Sequence, residues 1–176
     1  MNLSELEALA KEAGFTNIGP LRAETIELKP EVRDMCASCS QYDKRWSCPP
    51  GCGTLEENRE KIAAYKTGIL VQTVGELEDE LDGEGMMEAE QNHKENFRRL
   101  HEKLVQLYPN LLALGAGCCR ICKTCAYPDE PCRFPDKMVS SMEAFGMVVL
   151  EVCKANDMPY YYGPNKIAYN SCFLLE

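Results

Sequence analysis

The sequence predicts an α/β domain with a small mixed sheet, flanking helices and two cysteine-rich loops, and three observations lead there. Segments of helical periodicity repeatedly run into short apolar stretches, the order in which helices deliver strands to a sheet. Apolar residues make up 45% and charged residues 27% of the 176 positions, a balance that lets a chain bury a core. Two stretches, 36–53 and 115–137, lack periodicity and concentrate Cys, Pro, Ser and Gly. A single domain over 1–176 is expected, with both stretches at one end of the sheet.

Leu3, Leu6, Leu9, Ala10 and Ala13 recur at helical spacing, Asn2 and Glu5 fit a capping box, and Gly14 stands where the helix stops. A strand is expected around Thr16–Leu21. Thr54 and Glu57 repeat the capping pattern for a helix over 54–66, which carries Leu55, Ile62 and Tyr65 and closes at Gly68. Ile69-Leu70-Val71 then reads as a buried strand. Glu76–Glu90 is acidic, lacks a basic residue and is broken by Asp82-Gly83-Glu84-Gly85, so a solvated loop is expected ahead of the next helix.

That helix shows Phe97, Leu100, Leu104 and Leu107 on one face and ends at Pro109, after which Leu111–Leu114 makes another short strand. The C-terminal part predicts a helix through Met142–Ala155, a strand at Met158–Tyr162, a turn at Gly163-Pro164-Asn165 and a last strand at Ile167–Leu174. Cys153 and Cys172 fall at packed positions of these elements, and His93 and His101 read as surface or partly packed residues of the long helix.

A formal charge of −9 repels polyanions, so nucleic acid is not an expected partner. The first residues lack the basic and apolar regions of a signal peptide, and no stretch approaches the ~20 apolar residues of a membrane helix. The expected location is the cytoplasm, with no membrane partner. Thiols stay reduced there, so eleven cysteines point to ligands or reactive groups rather than to a disulfide framework, and an odd total prevents complete pairing.

Cys36, Cys39, Cys48 and Cys52 form two close pairs joined by a short polar linker, so four sulfurs can converge without a long loop closure. Tetrahedral zinc and an iron–sulfur cluster both suit such thiols. Cys48-Pro49-Pro50 leans toward iron, because proline after a ligand cysteine belongs to the ferredoxin-type pattern. The helix beginning near Thr54 would bring its positive end beside that centre.

Cys119, Cys122 and Cys125 are spaced C-x2-C-x2-C, which wraps one corner of a cubane cluster, and Cys132 is the expected fourth ligand. Cys118 precedes Cys119 directly and reads as a spare, packing or redox thiol. Arg120, Lys123, Arg133 and Lys137 either offset cluster charge or are ordinary solvated cations. Tyr160, Tyr161 and Tyr162 fit a strand, and no glycine-rich phosphate loop is present.

Cys36-Ala-Ser-Cys39, Trp46-Ser-Cys48-Pro49-Pro50, Gly117-Cys-Cys119-Arg-Ile-Cys122-Lys-Thr-Cys125, Cys132-Arg133-Phe-Pro135 and Ser141-Met-Glu143-Ala-Phe-Gly146 follow one another in order. In this the chain resembles the predicted metal-binding family called domain of unknown function 2284. The resemblance implies metal or iron–sulfur binding by Cys36, Cys39, Cys48, Cys119, Cys122, Cys125 and Cys132, in a family often found in anaerobes near methyl-transfer and redox systems. It implies no reaction. The chain departs from the family pattern at Cys118, where another residue, often proline, precedes the cysteine.

The expected function is iron–sulfur electron transfer or an accessory role, with one or two clusters of 4Fe-4S type and a redox protein as partner. The alternatives are a structural or regulatory zinc protein and an enzyme whose cluster binds substrate. No nucleophile–base arrangement appears in the sequence.

Overall fold

The computed structural model describes residues 2–176. Helix α1, Leu3–Ala13, starts where the Asn2 side chain accepts the Glu5 N–H and the Glu5 carboxylate accepts the Asn2 N–H. It stops at Gly14, whose φ of 107° is left-handed backbone that glycine adopts without a Cβ clash. Strand β1 follows at Asn17–Arg22, then α2 at Pro30–Cys36 and α3 at Leu55–Ala63. Thr54 and Glu57 cap α3 reciprocally, and each such cap stabilises its helix by about 1 kcal/mol.

Strand β2 spans Thr67–Glu76, α4 Gly83–Leu107, β3 Leu112–Leu114, α5 Val149–Ala155 and β4 Lys166–Leu175. The strands form one sheet in the order β1-β2-β4-β3. The central pair, β2 and β4, is apolar on both faces because both are covered. Ile69 and Val71 of β2 and Phe173 and Leu175 of β4 face α1 and α4, against Ala10, Phe97, Leu100 and Leu104. Leu70, Cys172 and Leu174 face the other way, toward Leu21, Ile62, Met142, Phe145, Val152 and Cys153. The period of two along each strand, with Leu70 opposite Cys172 and Ile69 opposite Phe173, holds the two cores in register. Leu100 and Leu104 are fully buried, and truncating either to alanine should cost about 2–5 kcal/mol.

Five expectations need correction. The sheet is not mixed in direction: all pairings between named strands are antiparallel, and a parallel contact occurs as the isolated bridge Gly115–Ser141. The acidic loop is shorter than Glu76–Glu90, because the Asp82 carboxylate accepts the Gly85 N–H and starts α4 at Gly83. The helix expected over Met142–Ala155 exists only as α5. Gly146 has φ 101°, which breaks any continuous helix, and a Cβ there would stand 2.7 Å from Leu55 Cδ1.

No strand forms at Met158–Tyr162. That segment bonds through polar groups instead: the Gln72 side chain donates to the Pro159 carbonyl at 2.9 Å and accepts from the Tyr162 hydroxyl at 2.5 Å. His93 is not on the surface but fully buried, with Nδ1 2.9 Å from the Thr73 hydroxyl and Nε2 2.7 Å from that of Ser171. Burial, aided by the Lys94 charge, pushes its pKa down to about 3, so the ring is neutral. No helix among the described residues is long and apolar enough to cross a membrane.

Candidate metal centre

The first cysteine segment leaves α2 at its last residue, Cys36, so this thiol sits on a helix end rather than in a loop. Tight turns then fold the chain back: Cys39 N–H donates to the Cys36 carbonyl at 2.9 Å, and Cys52 N–H to that of Cys48 at 3.1 Å. Gly51 permits the second turn, since a Cβ there would lie 2.7 Å from the Arg45 carbonyl and 3.0 Å from the Tyr127 ring. Cys48 and Cys52 are buried, Cys36 is half-buried and Cys39 is exposed.

Cys48 is pushed up to about 11, chiefly by burial, with Cys118, Cys52 and Cys39 adding repulsion against the Ser47 hydroxyl bond that lowers it. Cys36 and Cys52 are also raised, first by burial, and the Arg33 guanidinium opposes the rise in both. Arg33 is held by the carbonyls of Ala144 at 3.1 Å and Gly53 at 2.8 Å. The buried Asn58 amide, turned to suit its neighbours, donates to the Cys52 carbonyl at 3.1 Å and accepts from Arg33 at 3.2 Å. The amino end of α3 is taken by the Glu57 carboxylate, so that helix terminus is already neutralised within its own cap.

Cys119, Cys122, Cys125 and Cys132 line one pocket with Arg45, Trp46, Ser47, Ile121, Phe134 and Met138. All four thiols are half-buried, whereas Arg120, Lys123, Arg133 and Lys137 are exposed. Nearby backbone amides bear on the acidity of two of the thiols. Cys119 is raised by burial and by its neighbours Cys132 and Cys122, against hydrogen bonds from the Ile121 and Val139 amides. Burial works against the Cys125 thiolate too, but the Tyr127, Trp46 and Ala126 amides together with the Arg45 charge outweigh it, and its pKa lies below the ordinary thiol value.

Residues of the first segment build much of this second pocket. Arg45 Nη1 donates to the Cys119 carbonyl at 3.1 Å, and Cys119 N–H donates to the Ser47 hydroxyl at 3.1 Å. Trp46 Nε1 donates to the Glu130 carbonyl at 3.0 Å, and its ring meets Tyr127 edge-on at 4.9 Å. Tyr127 closes the seam by donating to Asp43 at 2.8 Å. The two segments are therefore one lobe. The sequence left Arg120, Lys123, Arg133 and Lys137 either as charge-balancing or as solvated cations, and their exposure fits the second; it did not single out Arg33 and Arg45, whose charges act on the thiols. Their one sequence signal was a position a few residues before a cysteine, shared with many arginines.

Thiols, amides directed at sulfur and a nearby guanidinium form a donor set that suits a thiophilic metal or an iron–sulfur cluster. Among the described residues, no group of three or more His, Cys, Asp or Glu side chains is gathered so as to hold a metal ion. Cys153 and Cys172 lie in the sheet core, fully buried, away from both sets. The profile of the family described as a predicted metal-binding protein, domain of unknown function 2284, matches residues 19–175. No curated protein and no solved structure matches the chain.

Proposed function

We propose that this chain, which belongs to the predicted metal-binding family, is an iron–sulfur protein with an electron-transfer or accessory role. The observation that carries the reading is the pocket lined by Cys119, Cys122, Cys125 and Cys132, with C-x2-C-x2-C spacing. Those four thiolates would hold a cubane cluster, and Cys36, Cys39 and Cys48, with Cys52 beside them, supply thiols for a second centre.

A bound cluster supplies one-electron exchange. The protein's part is to hold the thiolates, to aim the amides of Trp46, Ala126 and Tyr127 at Cys125, and to place Arg45 where negative charge collects. Trp46, Ile121, Phe134 and Met138 give the pocket an apolar border. The net charge of −9 suits docking to a basic redox partner.

Protein purified anaerobically without reconstitution tests this. Iron with acid-labile sulfide and broad absorbance near ~400 nm is expected. A colourless protein carrying zinc and no sulfide, even after expression with ample iron, would replace the cluster with a structural zinc site.

A further inference from the structure

The two outer edges of the sheet are finished differently. On β1, Pro20 has no N–H to offer and the Arg22 N–H is taken by the Asn156 side chain at 3.0 Å, so that edge is closed to a further strand. On β3 the closure stops short. Gly115, just beyond the strand, donates its N–H to the Ser140 carbonyl at 2.9 Å, and its own carbonyl accepts the Met142 N–H at 3.1 Å. Backbone groups alternate sides along a strand, so those of Ala113, two residues back, face the same way. Among the described residues, no backbone bond joins them to the 138–142 segment. The strand itself is Leu112-Ala113-Leu114, without the charge or proline that guards an exposed edge.

This edge borders a cleft of about 830 Å³ between β3, α3 and the 51–53 turn, where Leu112, Leu114, Met138 and Phe145 supply apolar surface. Its α3 side carries the exposed residues Glu57 and Glu60 against one cation, Lys61, whose ammonium rests 5.7 Å over the Phe145 ring. We propose that an extended segment of a partner protein adds to β3 here as a fifth strand, pairing with the N–H and carbonyl of Ala113. The segment has apolar side chains at alternate positions, seated in the cleft, and a basic residue that meets Glu60. A second copy of the chain fits less well. Each copy carries a charge of −9, and a two-fold pairing of β3 edges would bring Glu57 and Glu60 of both copies to one seam.

The probe is a set of end-capped octapeptides in which lysine alternates with valine, leucine or phenylalanine, titrated by fluorescence anisotropy into the full chain, purified anaerobically, at low salt. Saturable binding is expected from at least one member. Replacing its lysines with glutamates, or N-methylating the alternate residues whose amides would pair with Ala113, should abolish binding. Glu60→Lys should weaken it about fivefold. Exchange of the Ala113 amide, followed by NMR, should slow when the peptide is added, while that of Arg22 stays unchanged. This measurement needs no variant and decides the matter should Glu60→Lys fail to fold. No saturable binding across the set, equal binding when either set of alternate amides is N-methylated, or unchanged Ala113 exchange with peptide bound would overturn the proposal. A dimer of the free chain in sedimentation, with the Ala113 amide protected in it, would assign the edge to a second copy and overturn it as well.

Discussion

The backbone N–H of Cys119 donates to the Ser47 hydroxyl across 3.1 Å, joining the two cysteine segments over a separation of 72 residues. Ser47 is almost fully buried, at 1% exposure, so its hydroxyl has no water to substitute for this partner. Ser47→Ala should therefore strand a donor in the lobe at a cost of about 1–3 kcal/mol. The expected result is faster loss of metal to a competing chelator, with Ser47→Thr restoring near-normal retention. Equal release rates for wild type and Ser47→Ala would show that the bond does not hold the lobe together.

Arg45 is the cation that reaches the second pocket. On the iron–sulfur reading, replacing it with glutamine removes positive charge that favours the more negative, reduced state, so the reduction potential of a cluster in that pocket should fall. Arg120 is exposed, and its charge is screened by solvent, so Arg120→Gln should shift the potential less. Redox titration of the two variants beside wild type measures both shifts, and the reverse ranking would reassign the balancing charge.

Cys153→Ala and Cys172→Ala should leave metal content unchanged and lower stability by about 1 kcal/mol each, the usual scale for small changes in a packed core. Cys153 Sγ donates to Asn170 Oδ1 at 3.5 Å, and Cys172 stands opposite Leu70 in the sheet. Metal analysis with denaturant unfolding checks both statements; lost metal in either folded variant would add a ligand that the geometry places elsewhere.

His93 should stay neutral well below the pH at which a free imidazole charges, because its pKa is pushed down to about 3 by burial. The sign follows from proton counts. Between about 6.5 and about 3 the unfolded chain binds a proton at His93 that the native state refuses, so the stability this residue contributes is complete above about 6.5 and declines as pH falls. Nitrogen chemical shifts of the labelled imidazole at pH 5 check the protonation state directly. In unfolding measurements, His93→Gln should flatten the loss of stability over that range.

Much of the fold was legible because its signals are local. The two capping boxes, at Asn2 with Glu5 and Thr54 with Glu57, span three residues each, and both helices begin where those pairs stand. Gly146 was harder, because the apolar spacing of Met142, Phe145 and Val149 imitates one continuous helix, while Met142 and Phe145 pack against the core without one and the helix starts only at Val149. Met158–Tyr162 has the composition of a strand, but its partners are Asn17 of β1 and Gln72 of β2, polar side chains that composition does not reveal. At the site, C-x2-C-x2-C spacing picked out thiols that share a pocket. The supporting groups Ser47, Arg45 and Trp46 act across 72 to 84 residues, a distance at which a single sequence carries no pairing signal.

The bridge between Gly115 and Ser141 bears on how the protein matures. It closes the second cysteine segment at its base, and both apolar cores are completed by residues outside 36–53 and 115–137. Foldon boundaries follow such seams, because cooperative units are set by shared burial. The sheet with its helices is one unit and the lobe another, so amide exchange in metal-free protein should stay slow in β2 and β4 while the lobe opens. On the metal-binding reading, a chain built this way would form its scaffold before its tip, and loading of the metal would be a separate, later step.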